Sequence, residues 1–242
     1  MRERLGWRYD SRGFEQVSAK ATVTELKSRS WQEQAQEEIY TSLPLSGHVA
    51  VSGLEEEWAR PRFLQQKQEK KTFTPAERGT LMHTALQHID FHTPADFAAV
   101  RRQLAEMEAS GIFQPGERQV VDGGKIVNLL SSPLGEMLRK ARRIYREQPF
   151  CRLLPANRFY PEAKDPEARI FLQGVIDLLF EDEQGRFVLV DYKTDRGLTG
   201  DQAIERYKMQ LNLYRESVEA LLNRKVDSCY LYLLQNGIMA EL

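Results

Sequence analysis

The sequence predicts an α/β fold: a small mixed central β-sheet flanked by helices over residues 73–242, preceded by an extended, partly mobile N-terminal arm over 1–72. Three observations carry this. Arg169 to Glu181 and Arg186 to Tyr192 read as two apolar strands. Between them Asp182-Glu183-Gln184-Gly185 is turn chemistry, with Asp to open and Gly to take the positive φ. Residues 202–223 carry Ile204, Tyr207, Leu211, Tyr214, Val218 and Leu221-Leu222 at helical spacing, and Cys229 to Leu234 reads as a closing strand. A strand, a helix and a strand in succession need a crossover, hence a mixed sheet with helices on both faces.

The elements follow in chain order. Leu5-x-Trp7-x-Tyr9 alternates like a strand belonging to something upstream, and Thr22-Val23-Thr24-Glu25 is a capping box that opens a helix. From Ser28 to Lys71 the chain is rich in Gln, Glu and Lys with few apolar anchors, as expected of a helix followed by an exposed arm. Trp58 and Arg60-Pro61-Arg62-Phe63 are its candidate docking points. Thr74-Pro75-Ala76-Glu77 is a second capping box with Pro at the first helical position. Its helix puts Leu81, Met82, Ala85, Leu86 and Ile89 on one face, with His83 at the border. Pro94 is expected to start the next helix, through Phe97, Val100, Leu104 and Met107 to a stop at Gly111. Ile126, Leu129 and Leu130 predict a helix ending at Ser131, and Ser132-Pro133 opens another through Leu134, Met137, Leu138 and Ala141. Ile144 to Phe150 is extended. Asn157 to Glu162 and Ala168 onward then suggest an antiparallel pair around a turn at Asp165-Pro166.

Composition narrows the function classes. With 242 residues, 41% hydrophobic and 29% charged, the chain can bury one good-sized core beneath a polar surface. The longest apolar run near the C-terminus, Cys229 to Leu234, is far too short for a membrane span, and Met1-Arg2-Glu3-Arg4 opens no signal peptide. Two cysteines, Cys151 and Cys229, are too few for a disulfide framework or a metal cluster, and point to a reducing cytoplasm. A net charge of −1 does not mark a nucleic-acid binder. Basic residues are bunched, however, at Arg139, Lys140, Arg142, Arg143 and Arg146, which reads equally as a local binding patch or a solvated face. No G-x-x-x-x-G-K-[ST] occurs, so the sequence carries no P-loop.

Chemistry concentrates on the hairpin. It brings Asp177 and the Asp191 end of the second strand to the same sheet edge, and a period of two puts Asp191 and Lys193 on one face. Asp-x-Lys alone is more often a salt bridge at a strand end than a metal site. Two carboxylates and a lysine at the rim of a buried sheet are costly unless they bind something, and a divalent cation held by oxygen ligands answers that cost. Such a grouping suits phosphodiester chemistry. On the later helix Gln210 and Tyr214 lie one turn apart, so their polar ends can reach the same rim, although both tyrosines there also fit a plain core stripe.

Gly174-x-x-Asp177, Asp191-Tyr192-Lys193-Thr194 and Gln210-x-x-x-Tyr214 resemble the motifs of the RecB-like branch of the PD-(D/E)xK nuclease superfamily, whose fold is restriction-endonuclease-like. Within it, the chain from about Val23 onward is most similar to the C-terminal nuclease domains of AddA-type subunits of bacterial ATP-dependent helicase–nucleases. The resemblance implies a Mg²⁺ site, or Mn²⁺, made by His83 in its Gly79-x-x-x-His83 setting, by Asp177 and Asp191, and by the main-chain carbonyl of Tyr192. It implies that Lys193 handles the nucleophilic water, with Gln210 and Tyr214 in support. The implied substrate is DNA, preferentially single-stranded, and the implied partners are a helicase portion of a parent chain and a second helicase–nuclease subunit. An iron–sulfur cluster, present in some relatives, is not expected from two cysteines. Two rival expectations remain: a cleavage-inactive module of the same fold, and a standalone restriction-type endonuclease.

Overall fold

The computed structural model describes residues 18–27, 73–161, 163 and 165–242. The expectations for Leu5 to Tyr9 and for Ser28 to Lys71 lie outside the described residues. Among the described residues six strands form one mixed sheet: β1 (Lys20–Thr22), β2 (Arg143–Pro155), β3 (Arg169–Glu181), β4 (Phe187–Lys193), β5 (Val226–Leu233) and β6 (Ile238–Glu241). β2 runs antiparallel to β3 along its whole length, from Arg143↔Glu181 to Pro155↔Arg169. A strand has two edges, so β1 and β4 must share the other one. β1 lies parallel to Phe171–Gln173 and β4 antiparallel to Leu178–Glu181. Between them the edge at residues 174–177 is unpaired, and there the sheet opens.

The hairpin forms as its turn residues dictate. Gly185 takes φ +79, and Asp182 Oδ1 accepts the amides of Gln184 and Arg186. β4 then passes through the long helix Gly200–Leu222 to β5, which runs parallel to it, so the predicted crossover is present. Helices cover both faces. On one, Tyr207, Leu211, Tyr214 and Val218 of that helix pack with Ile170, Leu172, Ile176 and Leu189. On the other, four helices, α1 (Pro75–His88), α2 (Phe97–Ala109), α3 (Gly123–Ser131) and α4 (Pro133–Lys140), bury a second core against Leu178, Phe180, Val188, Val190 and Tyr192. The helix Gly200–Leu222 is α5. Ile176 belongs to the α5-side core and Leu178 to the opposite one, so the alternation of β3 changes phase around Asp177.

Both capping boxes are present. Thr74 and Glu77 bond reciprocally, as do Thr22 and Glu25. Three local expectations are corrected. The second helix begins at Phe97 rather than Pro94, because Asp96 caps it by accepting the Ala99 amide. The antiparallel partner of β3 is Arg143–Pro155, not the segment after Asn157. There the amides of Phe159 and Tyr160 both return to the Ala156 carbonyl, so no ladder is available to them. A further edge strand, β6, follows the turn at Gly237, whose φ is +69. The segment 18–27 lies within the 1–72 region read as an arm, yet it contributes β1 and residues of the α5-side core, Ala21, Val23 and Leu26.

Candidate active site

The opening in the β3 edge is a cavity of about 590 Å³. Thr22, Val23 and Thr24 line one side of it, Asp191 and Lys193 the other, and Gly174, Asp177 and Tyr214 lie between. Gly174 is needed for close approach: a Cβ there would sit 2.6 Å from the Phe150 ring, which packs edge-on to Tyr214 at 5.7 Å. Asp177 spans the opening with its side chain. Its Oδ2 accepts the Tyr192 amide at 2.8 Å, so the carboxylate stands where a ladder bond would have been.

Two groups of polar side chains meet at this rim. In the first, His83 Nδ1 lies 3.5 Å from Asp177 Oδ1 and 3.5 Å from Glu147 Oε1, and the three ligand atoms fall within 4.8 Å of one another. Each comes from a different element: His83 from α1, Glu147 from β2 and Asp177 from β3. Glu147 is opposite Asp177 in the register set by Arg146↔Leu178 and Gln148↔Ile176, and that one pair is missing from the ladder. Its φ is +48, a left-handed conformation that costs a side-chain-bearing residue about 1–2 kcal/mol and marks a position held by its surroundings.

In the second group, Asp191 is 1% exposed. Its Oδ2 lies 2.5 Å from Lys193 Nζ, and its Oδ1 accepts Gln210 Nε2 at 3.1 Å. The other Nε2 hydrogen of Gln210 goes to the Tyr214 hydroxyl at 3.0 Å. The predicted rim residues of α5 therefore do converge on the strand end, and the Asp191–Lys193 ion pair of the plainer reading is also present.

The electrostatics of the two groups differ in sign. Burial disfavours the His83 cation, but hydrogen bonds to Asp177 and Glu147 outweigh it and push the imidazole up to about 10. Burial likewise works against the Asp177 anion, yet the His83 bond, the His83 and Lys193 charges and the Tyr192 amide hold it below the ordinary range. For Asp191 burial prevails and the Asp177 charge adds to it, so Lys193 only partly offsets a rise to about 6.

All the residues singled out on the hairpin and α5, together with His83, are thus brought to one rim. Asp191 stands outside the tight His83–Glu147–Asp177 group. Of Tyr192, the amide is engaged with Asp177 and the ring is buried in the opposite core. Glu147 escaped the sequence reading. Its only signal is an acidic residue two positions before Pro149 in an extended segment, which means nothing until its register against Asp177 is known. The donor set, one imidazole and clustered carboxylates at a widened sheet edge, suits a divalent cation bound through oxygen and nitrogen. Of the bunched basic residues, Arg139 donates to the Leu130 carbonyl, Lys140 pairs with Glu136 at the surface, and Arg146 binds the Gln87 and Ile89 carbonyls over the Phe91 ring, while Arg142 and Arg143 are exposed. Among the described residues no helix is long and apolar enough to cross a membrane.

Comparison with known proteins agrees with this architecture. The family model of the PD-(D/E)XK nuclease superfamily matches residues 58–239. The chain is 36% identical over 244 residues, 96% of its length, to an ATP-dependent helicase/nuclease subunit of Geobacillus thermodenitrificans. It is 37% identical over 241 residues, 98% of its length, to the protein of the same name from Pelotomaculum thermopropionicum. It spans about 18% of the length of each of those relatives. The family model covers most of the chain, including every site residue from His83 to Tyr214, and the chain belongs to the PD-(D/E)XK nuclease superfamily.

Proposed function

We propose that this chain is a Mg²⁺-dependent deoxyribonuclease domain that hydrolyses phosphodiester bonds of single-stranded DNA. In this reading it works as the nuclease part of a cytoplasmic AddA-type helicase–nuclease, beside a second subunit, in double-strand-break repair by recombination. The observation that carries the reading is the juxtaposition of His83, Glu147 and Asp177 with the Asp191–Lys193 pair at the opening of the β3 edge. His83, Glu147 and Asp177 would hold the ion, with Asp191 and the Tyr192 carbonyl as the further ligands the family implies. Mn²⁺ would fit the same donors. When bound, the cation supplies a Lewis acid for the phosphate and a more acidic water.

The chain's own groups do the rest. Lys193 orients the attacking water and offsets negative charge that builds on the phosphate oxygens. The water oxygen bonds to phosphorus and gives up one proton to solvent, the bond from phosphorus to one ester oxygen breaks, and that oxygen leaves as a hydroxyl with a proton taken from solvent. Gln210 fixes Asp191 by donating to it, and the Tyr214 ring against Phe150 shapes the cavity wall. Association with a helicase is supported by the name of the relatives, which are ATP-dependent helicase/nuclease subunits.

The test is a labelled-oligonucleotide assay with the 242-residue chain, with Mg²⁺ or Mn²⁺ and without ATP, over a salt series. Slow, EDTA-sensitive cutting of single strands, weakening with salt, is expected, with duplex a poor substrate. Cutting that persists in Asp191→Ala protein would come from a contaminant. Absence of cutting with either metal would favour a cleavage-inactive binding module.

A further inference from the structure

In the conformation described, Lys193 is held by Asp191 at 2.5 Å. Under the function proposed above, that carboxylate is also wanted by the cation, and a lysine whose partner is engaged elsewhere swings on four rotatable bonds. A second hold on Lys193 is present. Its Nζ lies 4.6 Å from the centroid of the Tyr207 ring, within cation–π range.

Tyr207 is itself fixed from several sides. It is 5% exposed on α5, and its hydroxyl donates to Asp195 Oδ2 at 2.7 Å. Arg206 Nη1 holds the other oxygen, Asp195 Oδ1, at 3.2 Å. Lys27, from the N-terminal segment, places its ammonium 3.9 Å from the centroid of the same ring. Three separate stretches of chain thus meet on one aromatic ring beside the reacting groups: residues 18–27, the loop after β4, and α5. The two lysines are near enough for each to feel the other. Burial, the Lys193 charge and the Arg206 charge together bring the Lys27 ammonium down to about 8. Repulsion between two ammonium groups on one ring favours Lys193 pointing away from Lys27, toward Asp191.

We propose that Tyr207 is a positioning residue for Lys193, its ring retaining the ammonium at the cleft when Asp191 is engaged by a cation, with Lys27 of the N-terminal segment setting the direction from which Lys193 is held. The assignment gives the segment 18–27 a role beyond the strand it adds to the sheet. It also explains why a tyrosine, rather than an aliphatic residue, occupies this position of the α5 stripe. The ring supplies the negative face and the hydroxyl supplies the anchor to Asp195.

The test reads the hold separately from cleavage. Lysine Hε–Cε resonances would be recorded on labelled protein, with Lys193 and Lys27 assigned from Lys193→Arg and Lys27→Arg variants. In the wild type both signals should be displaced upfield by the ring, and the Lys193 signal should stay displaced when Mg²⁺ is added. In Tyr207→Leu the displacement should vanish; in Tyr207→Phe it should persist. A wild-type Lys193 signal that moves to the position of exposed lysines on adding Mg²⁺ would overturn the proposal, and this needs no Tyr207 variant to fold. In the oligonucleotide assay Tyr207→Leu should lose about 10-fold in kcat with KM little changed, and Tyr207→Phe should recover most of it. A folded Tyr207→Leu protein with wild-type kcat would also overturn the proposal. A wild type that does not cut at all would instead defeat the nuclease reading, while the Lys193 signal reports on the ring contact in either event.

Discussion

The His83–Glu147–Asp177 group and the Asp191–Lys193–Gln210–Tyr214 group lie side by side, yet the protein treats their charges in opposite ways. In the first, half-open group a cation from α1 faces two carboxylates from β2 and β3, so ionised forms are favoured: His83 is pushed up and Asp177 down. In the second, Asp191 is sealed from water with one lysine and one amide for company, and its ionised form is disfavoured. Asp177 and Asp191 are alike in type, each set in an apolar strand. Both face a positive partner; what separates them is the fuller burial of Asp191, to which the Asp177 charge adds. Each group also holds what the other lacks. The first has the ligand geometry for a cation, and the second has the lysine to act beside it.

Substitutions can break this division of labour. The largest effect is expected from removing one group's central member. Lys193→Ala should cut cleavage by about 10²–10⁴-fold while leaving Mg²⁺ affinity within a few-fold, because the ammonium acts on water and developing charge. Asp177→Asn should lose cleavage together with metal affinity. Calorimetric Mg²⁺ titration alongside the cleavage assay separates the two; equal affinity losses would erase the distinction between the groups.

Next in size, Glu147→Gln and His83→Ala should each weaken Mg²⁺ binding by about 10–100-fold, with activity recovering at high Mg²⁺. His83 adds a pH signature. Without metal its pKa is about 10, so below that it carries a proton that a metal ligand must lose. Mg²⁺ affinity should therefore rise about tenfold per pH unit between pH 7 and 9, and the slope should vanish in His83→Ala. A flat wild-type profile would remove His83 from the ligand set.

A smaller effect concerns stability without metal. His83 and Asp191 both have folded pKa values above their ordinary ones. Each therefore contributes stability that is fully present below the unfolded value and lost as pH rises through the folded one. For Asp191 the loss falls between pH 3.8 and about 6, and for His83 between pH 6.5 and about 10. Asp191→Asn, which keeps an oxygen for Gln210, should stabilise the metal-free protein by roughly 2 kcal/mol at pH 8 and hardly at all near pH 4. Melting curves at the two pH values check this, and a destabilised Asn variant at pH 8 would mean that the Lys193 pair outweighs burial.

The smallest change probes the cavity both groups share. Gly174→Ala forces a Cβ against Phe150, and since ring and Tyr214 interlock, it should cost about 1–2 kcal/mol in a denaturant titration. An unaltered midpoint would show that Phe150 yields freely.

The local pieces were legible in the amino-acid order alone, because their signals are short-range. Thr74 and Glu77 bond within one turn, Asp182 and Gly185 close a hairpin between neighbours, and the stripe from Ile204 to Val218 is the period of one helix. The hairpin also made Asp177, Asp191 and Lys193 legible, since its register follows from its own turn. Whatever depends on pairing between distant segments was settled by the folded arrangement. Glu147 faces Asp177 only because β2 runs the full length of β3, and no local pattern encodes that register. Lys27 meets Tyr207 only because β1 takes the far part of the edge that β4 leaves open. The opening itself is a property of no single segment: β1 and β4 contend for one edge of β3, and residues 174–177, which neither covers, become the cleft.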